Sequence, residues 1–295
     1  MANLSKNTRG AILITLGALC FVSNDVILKS FANELPWQQP VLLRSIIGTF
    51  FLLLLALTVE GRKSTKELLV LFQDKYCALR IFCEALATVL WVSSLMKITL
   101  ASAISINQSL PVFLMLGGVF FFKEKISWRR KLAAIISFVG VLLIIQPWST
   151  NYTIWVLISL LSALAMATRD LATKAIPEHF PTFYITMLSM AGITIVILPF
   201  ALLGQWMTMD GVAWLKTVSA AILISFAFLF TIIGTRLGEM SFLAIFRYTS
   251  LVWGMLFSLA FSNERLDFNT TLGATLILFA GIYMVFREQK LTDNL

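Results

Sequence analysis

Asn24-Asp25-Val26-Ile27-Leu28-Lys29 sets an acid and a base four residues apart inside an apolar run that extends from about residue 9 to residue 31. Four residues is close to one helical turn, so both side chains lie on one helix face. The run exceeds the roughly 20 residues a helix needs to cross the hydrocarbon of a bilayer. The pattern returns in Arg169-Asp170-Leu171-Ala172-Thr173-Lys174, 145 positions later (25 to 170, 29 to 174), again inside an apolar run. A second landmark, Lys123-Glu124-Lys125-Ile126-Ser127-Trp128, is echoed by Asn263-Glu264-Arg265-Leu266-Asp267-Phe268 at an offset of 140 (124 to 264). Two landmarks repeated in order predict a duplicated chain.

Apolar runs fall at roughly 9–31, 38–59, 79–97, 100–122, 131–147, 152–174, 182–203, 212–235, 239–262 and 267–286, which predicts ten transmembrane helices. The connections are short, and only Glu60 to Tyr76 has room for a surface helix. The composition agrees: 59% of the 295 residues are apolar and 13% charged, against about 25% charged in soluble domains. The net charge of +8 is scattered between apolar runs, which excludes a nucleic-acid face. Lys6 and Arg9 precede a run too long for a signal peptide, without a small-residue cleavage site, so it is read as the first crossing. With the N-terminus inside, sixteen Lys and Arg, from Lys6 and Arg9 to Arg287 and Lys290, fall on the inner side and three, Lys97, Lys216 and Arg265, on the outer. This asymmetry predicts cytoplasmic termini in a cell inner (plasma) membrane. Five crossings per half is odd, so the second half enters from the opposite side. The expected fold is therefore all-α integral membrane: two inverted five-helix repeats, 9–147 and 152–286.

Ten helices, two halves, the Glu124-Lys125 and Glu264-Arg265 turns after the fourth and ninth crossings, and Gly140, Gly273 and Gly281 in the fifth and tenth resemble the EamA family of the drug/metabolite transporter superfamily. Asn24-Asp25 and Phe246-Arg247-Tyr248-x-x-Leu251-Val252 are similar to its S-adenosylmethionine uptake group. The resemblance implies cofactor-free translocation of a small molecule and leaves the substrate open.

Ionisable groups at the centre of a membrane helix cost about 2.5–3.5 kcal/mol each on insertion scales, so each needs a partner or a wet cavity. Asp25 with Lys29, and Asp170 with Lys174 beside Arg169, are expected as gating ion pairs. Arg44, Glu84 and Arg247 have fewer neutralising neighbours and are candidate substrate ligands, although Arg80, one turn before Glu84, offers it a partner near the inner interface. Glu84, Thr88 and Trp91 form a polar-aromatic stripe. Asn107 and Gln108, ahead of Pro111, add amides and a freed carbonyl. With Asn24, Asp25 and Tyr248 these complete the expected binding set. Pro111, Gly117 and Gly118 are expected to absorb bending.

Three cysteines without CxxC spacing and a single histidine, His179, give neither a metal site nor a disulfide framework. There is no GxxxxGK[ST], no HExxH and no Ser/His/Asp set. These absences argue against an enzyme or an ATP-driven pump. The expectation is a monomeric or homodimeric secondary transporter without a cofactor, partnered by lipid and a small zwitterionic metabolite, an amino acid or derivative such as S-adenosylmethionine. An exporter of amino acids or amphiphilic metabolites is the alternative, and a channel a weaker one. Proton coupling at Asp25 or Glu84, exchange and facilitated diffusion are all compatible with these residues.

Overall fold

The computed structural model describes residues 5–31, 34–63, 65–98, 103, 106–124, 128–145 and 154–262, with scattered helical positions between 272 and 283. Its helices are α1 (Lys6–Ser30), α2 (Gln38–Val59), α3 (Thr65–Gln73), α4 (Lys75–Leu95), α5 (Leu110–Phe122), α6 (Trp128–Ile145), α7 (Ile154–Ala175), α8 (Thr182–Leu203), α9 (Gly211–Leu237), α10 (Met240–Phe246) and α11 (Thr249–Ser262). Among the described residues six of them, α1, α2, α4, α7, α8 and α9, are long and apolar enough to cross a membrane. The short α3 occupies the stretch expected to hold a surface helix. Lys125, the 263–268 landmark, Gly273 and Gly281 lie outside the described residues, as does most of the tenth run.

Polar caps start several helices by taking free backbone N–H groups. Ser5 Oγ accepts from Thr8 N at 3.1 Å, Asp74 from Tyr76 N and Cys77 N at 3.0 and 2.8 Å, and Asp210 from Ala213 N at 2.8 Å. Glu124 does the same across the molecule: its carboxylate accepts from Met240 N and Ser241 N, both at 2.8 Å, at the start of α10. The chain reaches this position because Lys123 takes a left-handed turn, φ 53°, at the end of α5. The Glu of the second landmark is thereby explained in its first copy as an anionic cap on a helix N-terminus.

Two runs expected to be continuous are broken. The fourth turns at Gln108–Ser109 before α5, and the ninth turns at Arg247–Tyr248 between α10 and α11. At the repeat offset of 140 these are equivalent positions (108 to 248). In the fourth run Pro111 stands in the first turn of α5 and lacks the donor a continuous helix requires. In the ninth, hydroxyls compete for the backbone: Thr249 Oγ1 donates to Phe246 O at 2.6 Å and Ser250 Oγ to Arg247 O at 3.0 Å. The breaks touch, with Gln108 Nε2 donating to Ser250 Oγ at 2.9 Å.

The principal helix packings keep their pattern when the halves are exchanged. The contact of α1 with α9 answers to that of α7 with α4, α4 with α8 answers to α9 with α2, and α2 with α8 and α5 with α10 answer to themselves. Small residues permit the closest approach: a Cβ on Gly234 would stand 2.9 Å from Gly10 O. Gly117 and Gly118, expected to absorb bending, are close-contact positions in α5. A Cβ there would meet Leu171 Cδ1 and, at 2.8 Å, Glu124 Oε2 respectively.

Candidate functional site

Between the halves lies a cavity with about 870 Å³ of atom-free space, part of it open to the outside. Apolar walls come from Ile14, Ala18, Phe21 and Val22 of α1, Leu110 of α5, Met166 of α7, and Ile224 and Phe228 of α9. Polar groups enter from two directions.

The first group belongs to the N-terminal half. Arg44 Nη1 on α2 donates to Asn24 Oδ1 on α1 at 2.5 Å, Asn24 Nδ2 donates to Asp25 Oδ1 at 3.1 Å, and Trp91 Nε1 on α4 reaches the same oxygen at 3.4 Å. Asp25 is thus held by neutral donors through one oxygen. No ion pair to it forms among the described residues, and Oδ2 has no partner there. Arg44 keeps Nε and Nη2 without protein partners among the described residues.

The second group is a chain of alternating charge. Glu84 on α4 meets Arg80 Nη2 at 3.1 Å, one turn away, and Arg169 Nη1 on α7 at 2.6 Å. Arg169 Nε meets Asp170 Oδ1 at 3.0 Å, and Asp170 Oδ2 meets Arg247 Nη2 at 2.5 Å. Arg80 Nη1 also donates to Thr173 Oγ1. Glu84, Arg169 and Asp170 are fully buried, so each charge depends on its neighbours in the chain rather than on water. Arg247 sits at the break of the ninth run, where an interrupted helix lets its side chain reach α7, and among the described residues it pairs only through Nη2. Glu84, Arg169 and Arg247 line the cavity; Arg80 and Asp170 stand behind them.

The expected gating pairs do not form. Lys29 turns from Asp25 to the end of α4, donating to Leu95 O at 2.6 Å and Ile98 O at 3.1 Å. Lys174 turns from Asp170 to the end of α9, donating to Gly238 O at 2.6 Å and Arg236 O at 3.3 Å. In each case a long cation finds the unpaired carbonyls and negative dipole end of a neighbouring helix. Asp170 instead takes Arg169 and Arg247.

Of the expected binding set, Asn24, Asp25, Arg44, Glu84, Trp91, Asn107 and Arg247 line the cavity. Gln108 and Tyr248 do not. Gln108 is buried in the contact between the breaks, and Tyr248 lies on the far side of the turn beside Pro111, Met115 and Ala244. A break rotates successive side chains to different sides, so Asn107 and Arg247 face the cavity while the residues after them do not. Sequence reasoning passed over Phe21, Met166 and Phe228 as walls, because an apolar side chain facing the cavity reads the same as one facing lipid, and over Thr231, a single hydroxyl without a charged neighbour on its helix turn.

A cavity between duplicated halves, lined by paired charges, suits a carrier, and the family comparison agrees. The EamA-like transporter family matches residues 8–146 and again 153–287. The chain belongs to this family. It is an integral membrane secondary transporter with two EamA domains, not an enzyme. An uncharacterized transporter of Helicobacter pylori is 27% identical over 285 residues, 92% of this chain and 93% of that one. The S-adenosylmethionine uptake transporter of Rickettsia conorii is 25% identical over 274 residues, 91% of this chain and 89% of its own. The pseudopaline exporter of Pseudomonas aeruginosa is 25% identical over 285 residues, covering 92% and 94%. A solved crystal structure superposes with a TM-score of 0.75 at 16% identity over 95% of this chain and 98% of the other, a likeness of fold.

Proposed function

We propose that this EamA transporter moves a small zwitterionic metabolite, an amino acid or derivative, across the cell inner membrane by alternating access. The halves 9–147 and 152–286 are taken as inverted repeats that rock about the cavity, with both termini cytoplasmic. The reading rests on one observation: Asp25 Oδ2 is unpartnered on one side of the cavity, and Arg247 Nε and Nη1 are unpartnered on the other, among the described residues. Asp25 suits a substrate ammonium and Arg247 a carboxylate, while Trp91, Phe21 and Phe228 offer surfaces for an apolar or planar remainder. S-adenosylmethionine, the substrate in the name of the Rickettsia relative, is one member of this class. The exporter of Pseudomonas matches over 285 residues against 274 for the Rickettsia protein, so both directions of transport are compatible with the family.

The test is a thermal-stability screen of purified protein against amino acids, nucleosides, simple anions and S-adenosylmethionine, repeated on Arg247→Ala. Stabilisation by zwitterions that Arg247→Ala loses is expected. Stabilisation only by neutral or purely anionic solutes, or unchanged binding in the variant, overturns the reading. In liposomes the protein should show saturable flux and trans-stimulation; linear flux with conductance would indicate a channel.

A further inference from the structure

The buried charges around the cavity do not cancel. Four guanidinium groups, Arg44, Arg80, Arg169 and Arg247, face three carboxylates, Asp25, Glu84 and Asp170, among the described residues. The excess has a location. The chain Arg80–Glu84–Arg169–Asp170–Arg247 begins and ends on arginine, and its cavity end, Arg247, uses one nitrogen on Asp170. Across the cavity Arg44 donates through one nitrogen to the Asn24 amide, which stands between it and the Asp25 carboxylate and keeps the two from direct contact. The site therefore offers two incompletely paired guanidiniums and one incompletely paired carboxylate, Asp25.

From this we infer that the transported solute carries one more negative charge than positive: an amino acid bearing a second acidic group, whose ammonium meets Asp25 and whose two carboxylates meet Arg44 and Arg247. This rests on the zwitterion reading above and selects within it. A solute of net charge −1 brings the buried site to neutrality, the arrangement that low-dielectric surroundings demand. A neutral amino acid leaves one positive charge uncancelled. S-adenosylmethionine, with a carboxylate, an ammonium and a sulfonium, adds a second and is disfavoured.

The experiment uses one carbon skeleton at different charges: phenylalanine amide, phenylalanine, N-carboxymethylphenylalanine and benzylsuccinate, with S-adenosylmethionine alongside, each titrated against the purified full-length protein by calorimetry. N-carboxymethylphenylalanine should bind at least about tenfold more tightly than phenylalanine, and the amide and S-adenosylmethionine should bind more weakly still. Benzylsuccinate, which lacks the ammonium, should fall below N-carboxymethylphenylalanine. Asn24→Asp supplies the missing carboxylate at an atom Arg44 already touches and should move the optimum by one charge, so that phenylalanine equals or surpasses the iminodiacid. Arg44→Gln, which removes one positive charge, should do the same and serves as a second route to the neutral site. Phenylalanine or S-adenosylmethionine binding as tightly as the iminodiacid in the unaltered protein overturns this inference while leaving the zwitterion reading intact. Benzylsuccinate binding best overturns both. A protein indifferent to the whole series, or a preference unmoved in both variants, overturns the charge inference.

Discussion

Asp25 and Asp170 occupy the same position in the two halves, yet their surroundings differ completely. Asp25 follows Asn24 and is held by an amide and an indole through one oxygen. Asp170 follows Arg169 and has a guanidinium on each oxygen. Two residues, Asn24 against Arg169 and Asn107 against Arg247, separate a carboxylate left open to the cavity from one locked into the fold. The duplicated halves thus share a scaffold and differ at this carboxylate: Asp170 is closed into a network drawn from both halves, whereas Asp25 keeps one oxygen without a partner among the described residues.

Substitutions at equivalent positions should break or sharpen this contrast. The largest effect is expected at Arg169. Arg169→Ala removes the group that joins Glu84 to Asp170 and should destabilise the protein by about 3–5 kcal/mol, whereas Asn24→Ala should cost about 1–3 kcal/mol, the loss of hydrogen bonds at a buried site. Unfolding in detergent followed by circular dichroism measures both, and equal losses would erase the distinction. Next come the acids themselves. Asp25→Asn should retain the fold, since its donors are neutral, but lose the charge-assisted contact to the substrate and so lower flux in liposomes by at least about tenfold. Asp170→Asn should lower the melting temperature first. Glu84, with a guanidinium on each oxygen, should behave like Asp170: Glu84→Gln should lose stability, and a fully stable variant with flux insensitive to a pH gradient would remove Glu84 from both roles. A smaller, opposed pair of effects is expected at the lysines. Lys29→Met and Lys174→Met each remove about 0.3–1 kcal/mol of helix-end interaction, at the ends of α4 and α9 respectively. Labelling of Ser250→Cys from each side of the membrane should shift in opposite directions in the two variants. The smallest effect is expected at Tyr248→Phe. The hydroxyl has no partner among the described residues, so substrate affinity should change by less than about 0.5 kcal/mol.

The duplication and the polar residues could be read from the chain because both depend on identity and spacing. Asn24-Asp25 and Arg169-Asp170 stand out in apolar runs whatever the helices do. Partner choice could not be read in the same way. Lys29 is one turn from Asp25 and looks paired, but the open carbonyls of α4 come from residues 66 and 69 positions away. Spacing along one helix carries no trace of them. The helix breaks were half visible. Pro111 marks the first, and the offset of 140 would have carried that mark to Leu251, where no proline stands. The cavity walls left no signal, since a phenylalanine facing substrate and one facing lipid satisfy the same apolar rule.

The contact between Glu84 and Arg169 spans 85 residues, which has a consequence for how the protein is made. At about 5–20 residues per second, several seconds separate the synthesis of the acid from that of its partner on α7. During that interval Glu84 enters the bilayer with Arg80 one turn away on the same helix, and the two cross as a neutral couple. Arg80 therefore acts first as an escort, and only later as the outer member of the finished network.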